Sequence, residues 1–276
     1  MSGIKFTISN IKDLDTSKED IQQDLWTAVI PAAGIGSRLG FDHPKVLYPV
    51  LGRPIINWLI DSISPAVKNF VFILSPTGIS EVEPLLQECI PGRYKIAIQK
   101  EPTGMADAIL LAENFVKTSN VIVVWGDQVT IKTKTIKACA NAHQKRKNAI
   151  LTIPTILRNN PYIDIVRSKN GNILEVLQAR EGEIKKKIGE NDCGIFFFTT
   201  KALFKVLKNA KSEALGVGTI TSEFNLLPIL PRFELGKDSV FTIRINDISE
   251  TYGINTKEDA LLIEKLLSSN LTDNIK

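Results

Sequence analysis

Val29-Ile30-Pro31-Ala32-Ala33-Gly34-Ile35-Gly36-Ser37-Arg38-Leu39-Gly40, closed by Pro44-Lys45, is the stretch from which the fold is read. It opens on an apolar run, residues 27–30, with the composition of a buried strand. The run breaks into small residues and glycines, which admit positive φ and let a backbone come close to a ligand. Successive amides in such a loop form a concavity for anions, and Arg38 and Lys45 add fixed positive charge. A strand, a glycine loop and two cations together describe a phosphate-binding site. Two commoner glycine loops are excluded. No Gly-Lys-Ser/Thr occurs, so this is not a P-loop. Gly34-x-Gly36-x-x is followed by Leu39, and the next strand ends in Ser75-Pro76 where a dinucleotide fold places a ribose-binding acid.

Outward from the loop, residues 54–62 carry Ile55, Ile56, Leu59 and Ile60 at helical spacing, continued by Ile63. Strand 70–74, helix 79–88, strand 94–99, helix 104–115, strand 121–125, helix 133–143 and strand 149–153 follow. That alternation predicts an α/β fold with a parallel sheet. Ligands in such sheets sit outside the carboxyl ends of the strands, and the glycine loop, Gln99 and Asp127 all fall there. From Tyr162 the period changes to two. Ile163-x-Ile165 and Ile173-x-Glu175-x-Leu177 flank Lys169-Asn170-Gly171-Asn172, a hairpin turn. Strand 194–199, helix 201–208, a short helix 223–230, strand 240–245 and helix 256–267 complete the chain. The expectation is an N-terminal extension over residues 1–25 and a single domain over 26–276, with a β-rich acceptor-side subregion at about 160–240. In the extension, Ile4-x-Phe6-x-Ile8 reads as a short edge strand and residues 20–25 as a helical turn.

Composition bounds the function. The 276 residues are 43% hydrophobic and 23% charged, an ordinary globular balance. The net charge of +4 is small and its lysines are scattered. Lys145-Arg146-Lys147 and Lys185-Lys186-Lys187 have no interleaved aromatics, so no nucleic-acid platform is expected. Cys89, Cys139 and Cys193 show neither metal spacing nor a disulfide framework, which fits a reducing cytoplasm. The polar, acid-bearing first 24 residues are unlike a signal peptide, and no apolar run reaches membrane-spanning length. His43 and His143 do not form a catalytic pair; His143 ends a helix, where a cation suits the dipole.

Pro31-Ala-Ala-Gly34-x-Gly36-Ser37-Arg38-Leu39 followed by Pro44-Lys45 resembles the signature of the sugar-1-phosphate nucleotidyltransferases (nucleoside-diphosphate-sugar pyrophosphorylases). Pro44-Lys45-Val46-Leu47-Tyr48-Pro49-Val50 with Gly52-Arg53-Pro54-Ile55 looks most like the N-acetylglucosamine-1-phosphate uridylyltransferase domain, and weaker matches run to about Asp259. The hexapeptide repeats of the bifunctional uridylyltransferase are absent from the sequence, which implies a chain without the acetyltransferase half. The resemblance implies a Rossmann-like, mostly parallel sheet flanked by helices, the nucleotide-diphospho-sugar transferase fold. It implies transfer of a nucleoside monophosphate from an NTP, with UTP expected, to a sugar 1-phosphate, with Mg²⁺ as cofactor. Ala32, Ala33, Gly34 and Gly36 would cradle the nucleotide, and Arg38 and Lys45 would act on its phosphates.

Gln99 and Gly104 match the family's base-binding pair, and the pattern Q-x-x-P-x-G-x-A-x-A resembles thymidylyl- and uridylyltransferases for glucose 1-phosphate. The N-acetylglucosamine enzymes have Gly-Thr where this chain has Gly104-Met105. Asp127 ends the apolar run from Val121, where a carboxylate suits Mg²⁺. Asn255 is the second metal position by resemblance, although Asn before Thr and a helix also reads as an N-cap. Gln178-Ala179-Arg180-Glu181 and Asp192-Cys193-Gly194 match the acceptor-side Glu-x-Lys-Asp and Asn-x-Gly, which makes Gln178, Arg180, Asp192 and Gly194 the acceptor-binding residues. Gln178 and Asp192 are departures. A carboxylate at 192 accepts hydrogen bonds and donates none, which predicts poor use of N-acetylglucosamine 1-phosphate. Two alternatives stay open: a cytidylyltransferase acting on phosphocholine or another alcohol phosphate, and a nucleotide-binding regulatory protein without catalysis.

Overall fold

The computed structural model describes residues 8–14 and 21–273; Ile4, Phe6 and Asp20, which the expected edge strand and helical turn include, lie outside them. In chain order the elements are β1 (Ile8–Asn10), β2 (Trp26–Pro31), β3 (Pro49–Val50), β4 (Arg53–Pro54), α1 (Ile55–Ile63), β5 (Asn69–Leu74), α2 (Ile79–Cys89) and β6 (Tyr94–Ile98). They continue with α3 (Met105–Leu111), β7 (Asn120–Val124), α4 (Thr133–Gln144), β8 (Leu151–Asn159), β9 (Ile163–Arg167) and β10 (Ile173–Gln178). The last are β11 (Ile188–Asp192), β12 (Ile195–Thr199), α5 (Thr200–Ser212), β13 (Val240–Arg244) and α6 (Lys257–Asp273).

The central sheet runs β1-β13-β8-β12-β7-β2-β5-β6, with β11 also on β8. β2 pairs in parallel with β5 and β7, and β5 with β6. Every residue of β2 is buried, because helices cover both faces. Successive side chains point to opposite faces. Ile30, Phe72 and Val124 join the core cluster that holds Leu59 of α1 and Ile136 of α4. Their neighbours Val29, Val71 and Val123 join the opposite one, with Ile109 of α3 and Leu203 of α5. This is the expected mostly parallel sheet flanked by helices. No described helix is long and apolar enough to cross a membrane.

Three differences from the sequence reading matter. First, β12 is antiparallel to β7 and β8, and β11 is antiparallel to β8, so the sheet is mixed. Second, β8 extends to Asn159, and its far half pairs with β11, a strand the sequence did not show. Ile-Gly-Glu-Asn-Asp has no apolar alternation. Glu190 is buried there because Arg167 pairs with it through Nε at 2.8 Å and Nη2 at 2.7 Å. Between β11, which pairs with β8 alone, and β12, which pairs with both β7 and β8, lies Gly194 (φ +68°), whose carbonyl accepts from the Trp125 amide at 2.9 Å. Third, the expected helix over 223–230 does not form. Phe224 bridges to Val217, and Leu227–Phe233 is a 3-10 segment carrying Pro228 and Pro231, which lack the amide an α-helix needs. The β9–β10 hairpin turns where the Asn-Gly pair predicts, with Gly171 at φ +87°.

Candidate active site

The carboxyl ends of β2, β6 and β7 open onto a cleft of about 390 Å³. Ala32, Ala33, Gly34, Arg38 and Lys45 form one wall, Gln99, Gly104 and Arg180 another, and Asp127 and Asn255 lie at its floor. Lys45 Nζ donates to Asp127 Oδ2 at 2.7 Å and to Asn255 Oδ1 at 2.9 Å. Two oxygens from distant parts of the chain thus converge on one cation.

Small residues make that convergence possible. A Cβ at Gly126 would stand 2.7 Å from the Pro31 carbonyl, and one at Gly253 would stand 3.2 Å from Asp127 Oδ1. Asn255 is not the cap of α6. Thr256 Oγ1 accepts from the Asp259 amide at 3.2 Å, while Asp259 Oδ2 accepts from the Thr256 amide at 2.8 Å and the Asn255 amide at 2.9 Å. This capping box occupies Thr256 and Asp259 and leaves the Asn255 side chain to the cleft.

The glycine loop closes on itself. The Gly36 amide donates to His43 O at 3.1 Å and the Lys45 amide to Gly34 O at 3.0 Å. Gly36 does not line the cleft; its missing side chain makes room for Phe41, whose carbonyl lies 2.9 Å from where a Cβ would stand. The Ala32 amide is spent on Ile73 O at 2.8 Å. Among the described residues the Ala33 and Gly34 amides donate to no group, and nothing lies within 4 Å of a Cβ at Gly34. The anion concavity is therefore narrower than the loop.

Gln99 Nε2 donates to Gly104 O at 3.1 Å and Thr103 Oγ1 at 3.3 Å, while its Oε1 accepts from no described protein group. Gly104 has φ +114°, and a Cβ there would stand 2.4 Å from Phe224 O. That carbonyl accepts from the Ala106 amide at 2.9 Å, and the Phe224 amide donates to Thr103 O at 2.9 Å. The segment around Phe224 is thereby strapped to the start of α3.

Of the four acceptor-side residues, the structure brings Arg180 to the cleft and Gly194 to a second cavity. Arg180 Nη1 donates to Glu223 Oε2 at 3.1 Å, Nη2 donates to Asn225 Oδ1, and Nε donates to Gln178 Oε1 at 3.3 Å. Gln178 and Asp192 are buried and line neither cavity. Asp192 Oδ1 accepts from the Gly194 amide at 2.5 Å and the Tyr162 hydroxyl at 3.3 Å. Its Oδ2 is buried without a partner among the described residues. Burial pushes the Asp192 carboxyl up to about 6.

The second cavity, about 260 Å³, shares Trp125, Asp127 and Asn255 with the cleft. Arg158, Tyr162, Thr251 and Tyr252 belong to its wall, and none of them was singled out from the sequence as a site residue. Arg158 and Tyr162 lie past residue 153, where the sequence ended the strand, and so past the carboxyl end that would have flagged them.

Among the described residues no cluster of three or more His, Cys, Asp and Glu could hold a metal ion. Asp127 and Asn255 nevertheless fit Mg²⁺. They offer one carboxylate and one amide oxygen already converging on a positive charge, and Mg²⁺ characteristically takes few protein oxygens and completes its shell from water and substrate phosphate.

Residues 28–188 match the MobA-like NTP transferase domain family, more than half the chain, and the protein belongs to that family. Beyond that family, the chain is similar to curated GlmU proteins. It is 30% identical over 251 residues to the bifunctional protein GlmU of Thermosipho africanus, covering 90% of this chain and 51% of that protein. It is 33% identical over 234 residues to the GlmU of Carboxydothermus hydrogenoformans, covering 83% and 50%. The chain thus spans about half the length of these curated relatives. The fold is shared with a Bacillus anthracis protein, provisionally named a glucose-1-phosphate thymidylyltransferase and solved with sucrose. The TM-score is 0.68 at 17% identity, covering 87% of this chain and 94% of that one.

Proposed function

We propose that the protein transfers a nucleoside monophosphate from an NTP, with UTP the expected donor, to a sugar 1-phosphate and releases pyrophosphate. The observation that carries this reading is the meeting of Lys45, Asp127 and Asn255 at the floor of a cleft walled by a glycine loop and by Gln99 and Gly104. The free Ala33 and Gly34 amides and Arg38 would hold the β- and γ-phosphates, as backbone nests do. Gln99 lines the cleft and its Oε1 has no described donor, so it would accept from a base that presents a ring N–H, as uracil does. Lys45 would lie against the α-phosphate and offset the charge that develops there. The acceptor phosphate oxygen would attack the α-phosphorus in line, and the bond to the β-phosphate oxygen would break. The nucleophile is already an anion, so no general base is needed, and the protein's work is positioning and charge neutralisation. Asp127 and Asn255 would hold Mg²⁺, which supplies charge neutralisation on the phosphates. The GlmU likeness supports N-acetylglucosamine 1-phosphate as acceptor, whereas Gly104-Met105 supports glucose 1-phosphate.

The test is pyrophosphate release with Mg²⁺ from UTP, dTTP, CTP, GTP and ATP, each against glucose 1-phosphate, N-acetylglucosamine 1-phosphate and phosphocholine. Release from UTP with a sugar phosphate is expected. Release only from CTP with phosphocholine would replace this reading by the cytidylyltransferase one, and no release from any pair would remove the catalytic reading.

A further inference from the structure

We propose that Arg158 is the acceptor's phosphate anchor, gripping it from the side of the reaction centre opposite Arg38. The inference rests on the nucleotidyltransferase reading and adds to it a residue that neither the resemblance nor the relatives assign. The second cavity meets the cleft at Asp127 and Asn255, so a molecule seated there abuts the metal-binding pair from the other side. Arg158 is the cation of its described wall. The wall's carboxylates are already engaged, Asp127 by Lys45 and Asp259 by the amides at the start of α6. Arg158 has no carboxylate partner among the described residues. Its Nη1 reaches Thr251 Oγ1 at 3.4 Å, the outer limit of a hydrogen bond, and its Nε is buried with no partner. Its guanidinium lies 5.5 Å from the Tyr162 ring centroid and 5.8 Å from that of Tyr252, which restrict its orientation.

The other arginines of this region show the contrast. Arg167 donates to Glu190, Gly171 and Thr242, and Arg180 to Glu223, Asn225 and Gln178. A half-buried guanidinium with open donors is costly in the free protein, and a phosphate relieves it by accepting two parallel bonds from the planar fork. Charge bookkeeping points the same way. A phosphate monoester must be brought against a triphosphate. Lys45 is balanced by Asp127, and Arg38 lies on the wall of the cleft rather than of this cavity. Arg158 is the cation that the described wall of this cavity itself offers to an acceptor phosphate.

The test compares wild type with Arg158→Ala, Arg158→Gln and Arg158→Lys. Steady-state KM is measured for UTP and for glucose 1-phosphate and N-acetylglucosamine 1-phosphate. Calorimetry measures binding of the same sugar phosphates in the presence of Mg²⁺ and a non-hydrolysable UTP analogue. Loss of a charge-assisted pair should raise acceptor KM and Kd about tenfold or more in the alanine and glutamine variants. UTP KM should stay within about threefold, the pattern of lost acceptor binding alone. Lysine, with charge but no fork, should lie between. Unchanged acceptor Kd in the glutamine variant, or equal weakening of UTP and acceptor, overturns the assignment while leaving the nucleotidyltransferase reading in place. A wild-type protein that neither binds nor converts either sugar phosphate overturns both.

Discussion

Lys45 bonds to the two residues that would hold the metal, and that geometry separates two roles for the same side chain. An ammonium between Asp127 and Asn255 competes with a cation for their oxygens. Lys45→Ala should therefore bind Mn²⁺ more tightly than wild type in the absence of nucleotide, because a rival charge has gone, and should turn over more slowly, because the α-phosphate has lost its neutralising group. Manganese titration followed by electron paramagnetic resonance reads the first effect and pyrophosphate release the second. Weaker Mn²⁺ binding in the variant would mean that the three groups do not share one site. Asp127→Asn should lower kcat by about 10²-fold or more, the usual scale for losing one preorganised charged group. Its far-UV circular dichroism should be unchanged, since the side chain lies in the turn after β7 and is about one-fifth exposed. Near wild-type turnover at saturating Mg²⁺ would remove Asp127 from the metal site. Asp127 was legible at the end of an apolar run and Lys45 in the Pro44-Lys45 that closes the glycine loop, while Asn255 came only through the family resemblance. Of the two readings the sequence offered for Asn255, Thr256 and Asp259 exclude the cap, since they close the capping box without its side chain.

The elements of the region from β9 to β11, expected to serve the acceptor, were harder to read, because they are held by buried polar contacts and not by apolar periodicity. β11 is the clearest case. Its Glu190 receives both arms of Arg167 and the Thr155 hydroxyl, and Arg167 also reaches Thr242 at 2.9 Å. One ion pair thus joins β9, β11, β8 and β13. Its two side chains are 11% and 7% exposed, so leaving Glu190 uncompensated should be expensive. Arg167→Ala is expected to destabilise the fold by about 3–5 kcal/mol, the range for removing one partner of a buried pair. Urea unfolding checks this, and a loss under about 1 kcal/mol would show that water substitutes for the arginine. The parallel half of the sheet, by contrast, was legible strand by strand, since burial on both faces leaves runs such as Val121–Val124 with no polar interruption. The strap at Gly104 belongs to this scale too. Gly104→Ala would force a Cβ into the Phe224 carbonyl and displace the segment whose Glu223 and Asn225 hold Arg180. Lower thermal stability and weaker UTP binding should appear together. Weaker UTP binding at unchanged stability would restrict Gly104 to the base.

Across the whole molecule, two buried titrating groups act on stability with opposite sign. His143, between Thr152 at 3.0 Å and Thr199 at 3.3 Å, is pushed down by burial to about 4 from its ordinary 6.5. The unfolded chain therefore binds the extra proton between those values. The stability His143 contributes is full above pH 6.5 and is lost as pH falls through about 4. Asp192 is the reverse case. Burial raises it from 3.8 to about 6, so the folded chain holds the extra proton, and its contribution is full below pH 3.8 and lost as pH rises through about 6. Each shift corresponds to about 3 kcal/mol, and between pH 4 and 6 the two slopes oppose one another. Wild type should hide both. Asp192→Asn keeps an oxygen for the Gly194 amide and the Tyr162 hydroxyl but removes the titration. Its Tm, relative to wild type, should climb from pH 4 to 6.5 by about 5–10 °C, given about 2–4 °C per kcal/mol for a chain of this size. His143→Gln should show the mirror image, losing ground to wild type over the same interval whatever its absolute Tm. Scanning Tm against pH for the three proteins decides it. Curves that stay parallel from pH 4 to 7 would mean that neither group changes its protonation on folding, and that Asp192 stays charged in the folded chain.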